Sequence, residues 1–523
     1  MMRSSIIAFF IIFICINIHA QNIILEGIVY DAKFNIPIPD AEVYVENTHV
    51  GTTTNSVGKF YLSVHDSLSN HSLVAEANGY APMRIPISIM YAPKIEIFLD
   101  ADLQQNVDEN GAMDRVQGFL DKALNFVMND WVPLGNKENN KFDFGRLQTI
   151  PTINPIEGFR LRAGVASNSR FNPNLFVKGY VAYGFKDARF KYRGEAIYSF
   201  NKKEYYEGES LMNNVSLIYE DDIYSPGAMH PRAMNDLLLV TYKRSKNETT
   251  YRNFAEINYD REYLNGLRHT LWFRKSYFTP QGGLKFEKLN SESYSKDLNN
   301  TEIGVSVLWS GNNEYIQKMR RRSPVNTTAP LVLFSHSMGL DNFLGGDNYY
   351  HRSELSLQKR FEISDLATVD VVGEMVKVWN PVPFILLAYP NQRHKFDIEN
   401  NAFFLSRSLE FVSDKQVTLR AVFIGNNLWL DKVDLFKSIG LKELVSFRAS
   451  YGSLSDKNIP TKENGLFELP ILTHTYKSGV PYIEGTVGIT NIFGLFRLEY
   501  VHRFNYRNSP SAVLSALRLD IVI

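Results

Sequence analysis

Cysteine is almost absent from this sequence. Cys15 is the only one among 523 residues. It sits inside an apolar run, behind Ile14, whereas lipid attachment to a cysteine wants a small residue just before it. Cleavage after Ala20 leaves a mature chain with no cysteine, which excludes disulfides, thiolate metal sites and a cysteine nucleophile. An excess of charge of one sign is also missing. The 56 basic and 56 acidic residues cancel, so there is no electrostatic case for nucleic acid. Beyond the first twenty residues no apolar run is long enough for a transmembrane helix, which needs roughly eighteen residues.

What is abundant is aromatic. Phe and Tyr number 35 and 28, a composition that suits strands and membrane-interface belts. Residues 1–20 read as a signal peptide: Arg3 is the positive n-region, Ile6 to Ile16 the apolar h-region, and Ile18-His19-Ala20 the cleavage site before Gln21. An exported chain without a spanning helix is either soluble or a barrel. Only a closed barrel satisfies its backbone in lipid without being helical.

Residues 22–100 carry short alternating runs separated by turns. Gly27-Ile28-Val29-Tyr30-Asp31 is a strand, Pro37 to Asp40 a turn, and Ala41 to Val45 alternates again. Gly51-Thr52-Thr53-Thr54-Asn55 then leads to Gly58-Lys59-Phe60-Tyr61-Leu62. Strands about ten residues apart predict a sandwich. The succession G-x-V-x-D, P-x-x-x-A-x-V-x-V and G-T-x-T-N-x-x-G-x-F resembles the carboxypeptidase-regulatory-like domain, which implies a transthyretin-like sandwich. In that resemblance Gly58 supplies a turn dihedral and Phe60 a core side chain, and neither is chemical. The module resembles the accessory domain, not the zinc peptidase.

Residues 101–155 read as a linker with one amphipathic helix, in which Val116, Phe119, Leu120, Ala123 and Val127 recur at helical spacing. Packing on the barrel rim or on the sandwich is the plain reading of that helix, and a plug in the lumen is the alternative. From 156 to 523 alternation dominates. Phe190 to Phe200 puts Phe, Tyr, Gly, Ala, Tyr and Phe on one face and Lys191, Arg193 and Glu195 on the other. Lys178 lies on the strand before. Arg497 and Glu499, then Arg518 and Asp520, repeat the pattern in strands near the C-terminus. In a transmembrane barrel such charges face the lumen and the apolar face meets lipid. The expected fold is therefore all-β: a sandwich followed by an antiparallel transmembrane barrel of about fourteen strands, within a range of about twelve to sixteen, each of roughly the crossing length. Mixed lumen charges predict no strong ion selectivity. Residues 225–235, 311–330 and 454–481 are expected as extracellular loops. The last residue, Ile523, is not the aromatic residue usual at the end of such barrels.

Ordered stretches, among them Asn154 to Arg162, Gly179 to Asp187, Tyr198 to Lys203, Trp379 to Phe384, Glu410 to Asp414 and Gly488 to Phe493, resemble the C-terminal barrel of a Bacteroidetes family of outer-membrane proteins that carry the same N-terminal sandwich. The resemblance spans about 154 to 523. It implies an outer-membrane location with the sandwich in the periplasm, and no established activity.

Chemical motifs are weak. His351-Arg352-Ser353-Glu354 has the H-x-x-E spacing of zinc carboxypeptidases, but residues i and i+3 of a strand point to opposite faces. Ser335-His336-Ser337-Met338-Gly339 mimics a nucleophile elbow without the first glycine or a following helix. Arg320, Arg321 and Arg322 are candidates for contact with lipid headgroups. Asp66-Ser67-Leu68 resembles the short O-glycosylation motif of exported Bacteroidetes proteins. The expectation is a non-enzymatic envelope barrel serving transport, assembly or structure, with no cofactor and no metal. Its partners are outer-membrane lipid, the barrel-assembly machinery during biogenesis and a periplasmic protein docked on the sandwich. A plug domain of the usual transporter length and the V-R-G-F motif of the assembly proteins are both missing, and a distant relation to the latter stays open. The competing readings are a barrel-embedded hydrolase and a soluble secreted β-protein or adhesin.

Overall fold

The structure is a computed structural model. It describes residues 22–521 except 33–36, 47, 49, 56, 66–70, 79, 87–94, 100–130, 137–138, 210, 225, 227–247, 290–293, 312–314, 319, 325–327, 364–365, 391–402, 408, 427, 429, 433–435, 437–440, 493–495 and 511. The signal peptide, the amphipathic helix around Phe119 and the Asp66-Ser67-Leu68 tripeptide lie outside the described residues.

The first unit is built from seven strands: β1 (Asn22–Asp31), β2 (Glu42–Val45), β3 (Gly51–Thr53), β4 (Lys59–His65), β5 (Ser72–Glu76), β6 (Met83–Pro86) and β7 (Ile95–Leu99). They form two sheets, β4-β1-β7 and β3-β2-β5-β6, with β1 and β7 parallel. The inward residues of both sheets, including Val29, Val43, Phe60, Leu62, Leu73 and Ile97, make one core. The turn motif is structural throughout. Thr54 Oγ1 accepts from the Ala41 N–H at 2.9 Å and donates to the Ile38 carbonyl at 2.7 Å, tying two segments together. Asn55 Oδ1 accepts from the N–H groups of Val57 and Lys59. Gly58 has φ of 71°, and a Cβ there would stand 2.8 Å from the Val29 carbonyl oxygen. Phe60 is 1% exposed. This unit also takes in Glu262–Leu267 and Gly311–Asn326.

The second unit is one large sheet. Its strands in chain order are β8 (Trp131–Pro133), β9 (Phe142–Gly145), β10 (Pro151–Asn154), β11 (Gly158–Ser167), β12 (Leu175–Gly184), β13 (Arg189–Ser199), β14 (Asn213–Tyr224), β15 (Glu248–Glu262) and β16 (Leu267–Gly282). A short hairpin follows, β17 (Phe286–Glu287) with β18 (Tyr294–Ser295), then β19 (Leu298–Trp309). A second hairpin, β20 (Tyr315–Lys318) with β21 (Arg321–Pro324), lies in the segment grouped with the sandwich. The rest are β22 (Leu331–Gly339), β23 (Tyr350–Ile363), β24 (Ala367–Val378), β25 (Lys415–Gly425), β26 (Lys442–Ser453), β27 (Tyr482–Ile492), β28 (Phe496–Arg503) and β29 (Ser515–Ile521).

Eighteen strands join in the order β10-β11 through β16, then β19, β22 through β29, β8 and β9. Three of them, β8, β9 and β10, have four residues or fewer, so fifteen are long, against the fourteen expected. Residues 131–154, read from sequence as linker, supply the three short strands. Elements of three or four residues carry too little alternation to show in a sequence. β9 also pairs with β11, through Val165↔Phe144, Ala166↔Asp143 and Ser167↔Phe142. Only the short β8–β9 pair therefore stands between the last long strand and the first.

Alternation of the strands fixes which connections share an end of the sheet. The longest connections, residues 225–247, 379–414 and 454–481, share one end, called here the loop end. The short turns 263–266, 364–366 and 493–495 share the other, the turn end, while a further four-residue turn, 185–188, falls at the loop end. The connection from 310 to 330 also falls at the turn end, so it cannot lie beside the other two segments expected as extracellular loops. Loop length alone suggested that placement, and strand parity overrides it. Among the described residues no helix is long and apolar enough to cross a membrane, which says nothing about strands.

The two faces of the sheet differ as lipid and interior would require. Phe190, Leu217, Ile303, Phe334, Met375 and Val487 are exposed on one face, each 42% or more. The alternate residues on the other face are buried, many of them polar or charged.

Candidate functional site

The buried face holds two connected sets of ions. The first lies on β11 to β15. Arg160 on β11 makes a two-pronged pair with Asp222 on β14, both contacts 2.7 Å, and also reaches Glu157. Tyr180 donates to the same Asp222 at 2.6 Å. Lys191 is fully buried and meets Asp187 at 2.5 Å and Glu157 at 3.0 Å. Arg193 pairs with Glu220 at 2.7 Å and reaches Glu195 at 3.3 Å, and Arg252 takes the other oxygen of Glu220. Lys178 is opposite Glu195 in register, 3.3 Å away, and meets Glu207 at 2.7 Å. Charges that alternate with apolar residues along neighbouring antiparallel strands meet across the ladder, and opposite signs in register satisfy one another.

The second set surrounds an inward-folded segment. The connection between β24 and β25 does not stand off the sheet: its residues 382–390 and 403–414 are largely buried. Leu387, Phe403, Phe411 and Val412 are all fully buried. Buried carbonyls and amides in a non-sheet segment need partners, and charges on the strands supply them. Arg352 on β23 donates to the carbonyls of Leu386 and Leu387. Arg420 on β25 donates to the Pro390 carbonyl at 3.0 Å and pairs with Glu374 at 2.5 Å. Glu484 on β27 accepts from three successive backbone N–H groups, those of Phe404, Leu405 and Ser406, at 2.8, 2.8 and 3.1 Å, and from the Tyr482 hydroxyl at 2.6 Å. Glu410 in the connection pairs with Arg503 on β28 at 2.6 Å, both groups buried.

Phe404 reaches the middle of the strands. Arg448 of β26 and Arg518 of β29 lie 4.2 and 4.1 Å from its ring centroid. Each such contact contributes on the order of 0.5–2 kcal/mol when water is excluded. Arg518 is held in turn by Glu499 at 2.5 Å. The 454–481 connection covers the same region. The His474 N–H donates to the Glu410 carbonyl at 2.7 Å, the Val412 N–H donates to the His474 carbonyl at 3.0 Å, and Arg407 reaches the Leu472 carbonyl. Phe286 and Phe467 stack at 4.9 Å within the apolar cluster that Phe384 and Leu387 join.

The residues singled out from sequence are placed as follows. Lys178, Lys191, Arg193, Glu195, Arg497, Glu499 and Arg518 all belong to the charged alternate positions. Lys178 with Glu195 and Glu499 with Arg518 meet as cross-strand pairs. Arg497 is buried and bonds Thr490, and its register partner is Asp520. The charges that grip the inward segment, Arg352, Arg420, Arg448, Glu484 and Arg503, were missed. The signal was present: the stretch Phe384-Ile385-Leu386-Leu387-Ala388-Tyr389 and the run Phe403-Phe404-Leu405 are too apolar for an exposed loop. Arg320, Arg321 and Arg322 lie at the turn end, and Arg322 makes a two-pronged pair with Glu262 at 2.5 and 2.8 Å. Its charge is thus spent on a carboxylate. His351 faces outward, while Glu354 faces inward and pairs with Arg352 at 2.5 Å. Ser337 is buried inside a continuous strand, β22, and His336 points the other way. Among the described residues no group of three His, Cys, Asp or Glu is placed to hold a metal ion.

Residues 25–110 match the family model described as CarboxypepD_reg-like domain. Residues 133–372 match the model described as Family of unknown function (DUF5686) C-terminal domain. No curated protein matches. Among solved structures the fold is similar to the crystal structure of BamA from Haemophilus ducreyi lacking POTRA domains 1-3, at 9% identity and a TM-score of 0.46, over 82% of this chain and 87% of that one. The chain therefore carries a carboxypeptidase-regulatory-like domain at its N-terminus and a DUF5686 C-terminal domain after it, the latter on a large, mainly antiparallel sheet.

Proposed function

We propose that this is a non-enzymatic outer-membrane barrel whose interior is filled by its own β24–β25 connection, and that it serves envelope assembly or structure rather than open diffusion of solutes. The observation that carries this reading is Phe404 in contact with both Arg448 and Arg518, which stand near the middles of β26 and β29, with Glu484 gripping three successive backbone N–H groups starting at Phe404. A buried segment anchored by six strand charges, Arg352, Arg420, Arg448, Glu484, Arg503 and Arg518, is a built-in stopper. The apolar outward face supports placement in lipid, since a soluble monomer rarely exposes a contiguous apolar patch above a few hundred Å². The three longest connections, all at one end, support the loop end as extracellular. On this reading the sandwich serves in the periplasm as a docking module after signal-peptide cleavage.

Planar-bilayer recording tests the stopper. Wild-type protein is expected to show no steady conductance, and Phe404→Ala is expected to raise the open fraction at least tenfold. Steady large currents through the wild-type protein would refute the proposal.

A further inference from the structure

The outward wall at the loop end carries a feature the filled interior does not use. Lys377, near the end of β24, and Lys415, at the start of β25, are register partners. Val376, Val378 and Gln416 are buried, so both lysines point outward. Like charges placed directly opposite one another on a sheet repel. Neither lysine makes an ion pair among the described residues. The nearby strand carboxylates, Glu354 and Glu374, face inward and are paired with Arg352 and Arg420.

Beside the pair lies a groove of about 390 Å³ on the outer wall, with Phe334, Leu355, Met375, Val417 and Tyr451 among its lining residues. Met375 and Val417 are the next outward register partners, followed by Gly373 and Leu419. A Cβ at Gly373 would meet nothing within 4 Å, so the wall is open there. An aromatic and polar cluster stands beside the lysines. The Lys377 ammonium lies 3.4 Å from the Trp379 ring centroid. The Trp379 indole donates to Ser353 Oγ at 3.0 Å, and His336 joins Ser353 to His351 at 2.9 and 3.2 Å. Amphipathic rings and snorkelling lysines of this kind mark the level of lipid headgroups.

We propose that this groove binds one phosphate-bearing acylated lipid of the leaflet at the loop end, its phosphate bridging Lys377 and Lys415 and an acyl chain lying on Met375 and Val417. The charge complementarity selects the occupant: two facing cations above an apolar track match an anionic head on a hydrocarbon tail. The site rests on the outer-membrane reading but not on the stopper.

Native mass spectrometry of the purified full chain in detergent, with dioleoyl phosphatidic acid as probe and dioleoylglycerol as the uncharged control, tests it. Wild-type protein is expected to retain phosphatidic acid about thirtyfold better than dioleoylglycerol, the size expected of two lysines near a charged headgroup. The double variant K377Q/K415Q is expected to lose that preference, and Gly373→Leu, which fills the track, is expected to weaken retention of both probes. An unchanged preference in K377Q/K415Q overturns the proposal, as does full displacement of the lipid by equimolar inorganic phosphate. Each protein is also run unboiled and boiled on a gel. Variants that shift like wild type have kept the barrel, so their loss of preference reports on the site. A wild-type chain that shows no shift removes the barrel reading and this site with it.

Discussion

His474 illustrates how one side chain can make the anchorage pH-dependent. Burial pushes its pKa below the ordinary histidine value; Glu410 opposes the shift, and Arg407 and Arg503 add to it. The folded state therefore prefers the neutral ring. Between the lowered folded value and the ordinary one near ~6.5, the unfolded or released segment binds more protons than the seated one. Stability in that window rises with pH and falls on acidification, and below the folded value the loss is complete. Lowering the pH below about 6.5 is expected to speed hydrogen exchange at residues 403–412, and His474→Gln to remove that dependence. Exchange that is flat with pH in the wild-type protein, or equally pH-dependent in the variant, contradicts this assignment. Nothing in the sequence near His474 announces the role, because Glu410, Arg407 and Arg503 reach it only through the fold.

At the scale of elements, the sandwich and the long strands obey different constraints. In the sandwich, β1 and β7 run parallel at close approach. A Cβ added at Gly27 would stand 2.5 Å from both the Ile95 carbonyl oxygen and the Phe60 ring. Gly27→Ala is expected to cost roughly 1–3 kcal/mol through overpacking. Limited proteolysis of the reconstituted chain should show faster cutting within residues 22–99 while the barrel band on the gel is unchanged. Equal cutting rates would mean that the β1–β7 edge yields without cost. The Gly27, Thr54, Asn55, Gly58 and Phe60 pattern was legible as a sandwich because each residue acts locally, through a turn or a neighbouring strand. The charged faces of β12, β13, β28 and β29 were legible for the same reason: alternation has a period of two, and the pairs Lys178–Glu195 and Glu499–Arg518 follow from register between adjacent strands. The short strands β8, β9 and β10 were not legible, since a few residues carry no measurable period.

For the whole molecule, the prediction concerns cooperativity. A sheet of fifteen long strands, laced by ion pairs between neighbours and gripping its own connection, has few places to open locally. Unboiled protein from outer-membrane fractions is expected to migrate faster than boiled protein on a gel. Recovery in the soluble fraction with no shift would sink the membrane reading and favour a secreted β-protein. What the amino-acid order determined by itself was everything carried by near neighbours: a β-sandwich with its turn motif, long alternating strands and one charged face per strand. What only the tertiary structure decided was which distant segments meet. Strand parity put 311–330 at the turn end and 379–414 at the loop end, and the fold brought Phe404 against both Arg448 and Arg518. The reason is physical: periodicity is written into a dozen consecutive residues, whereas the partner of a buried charge is chosen by a topology that spans the whole chain.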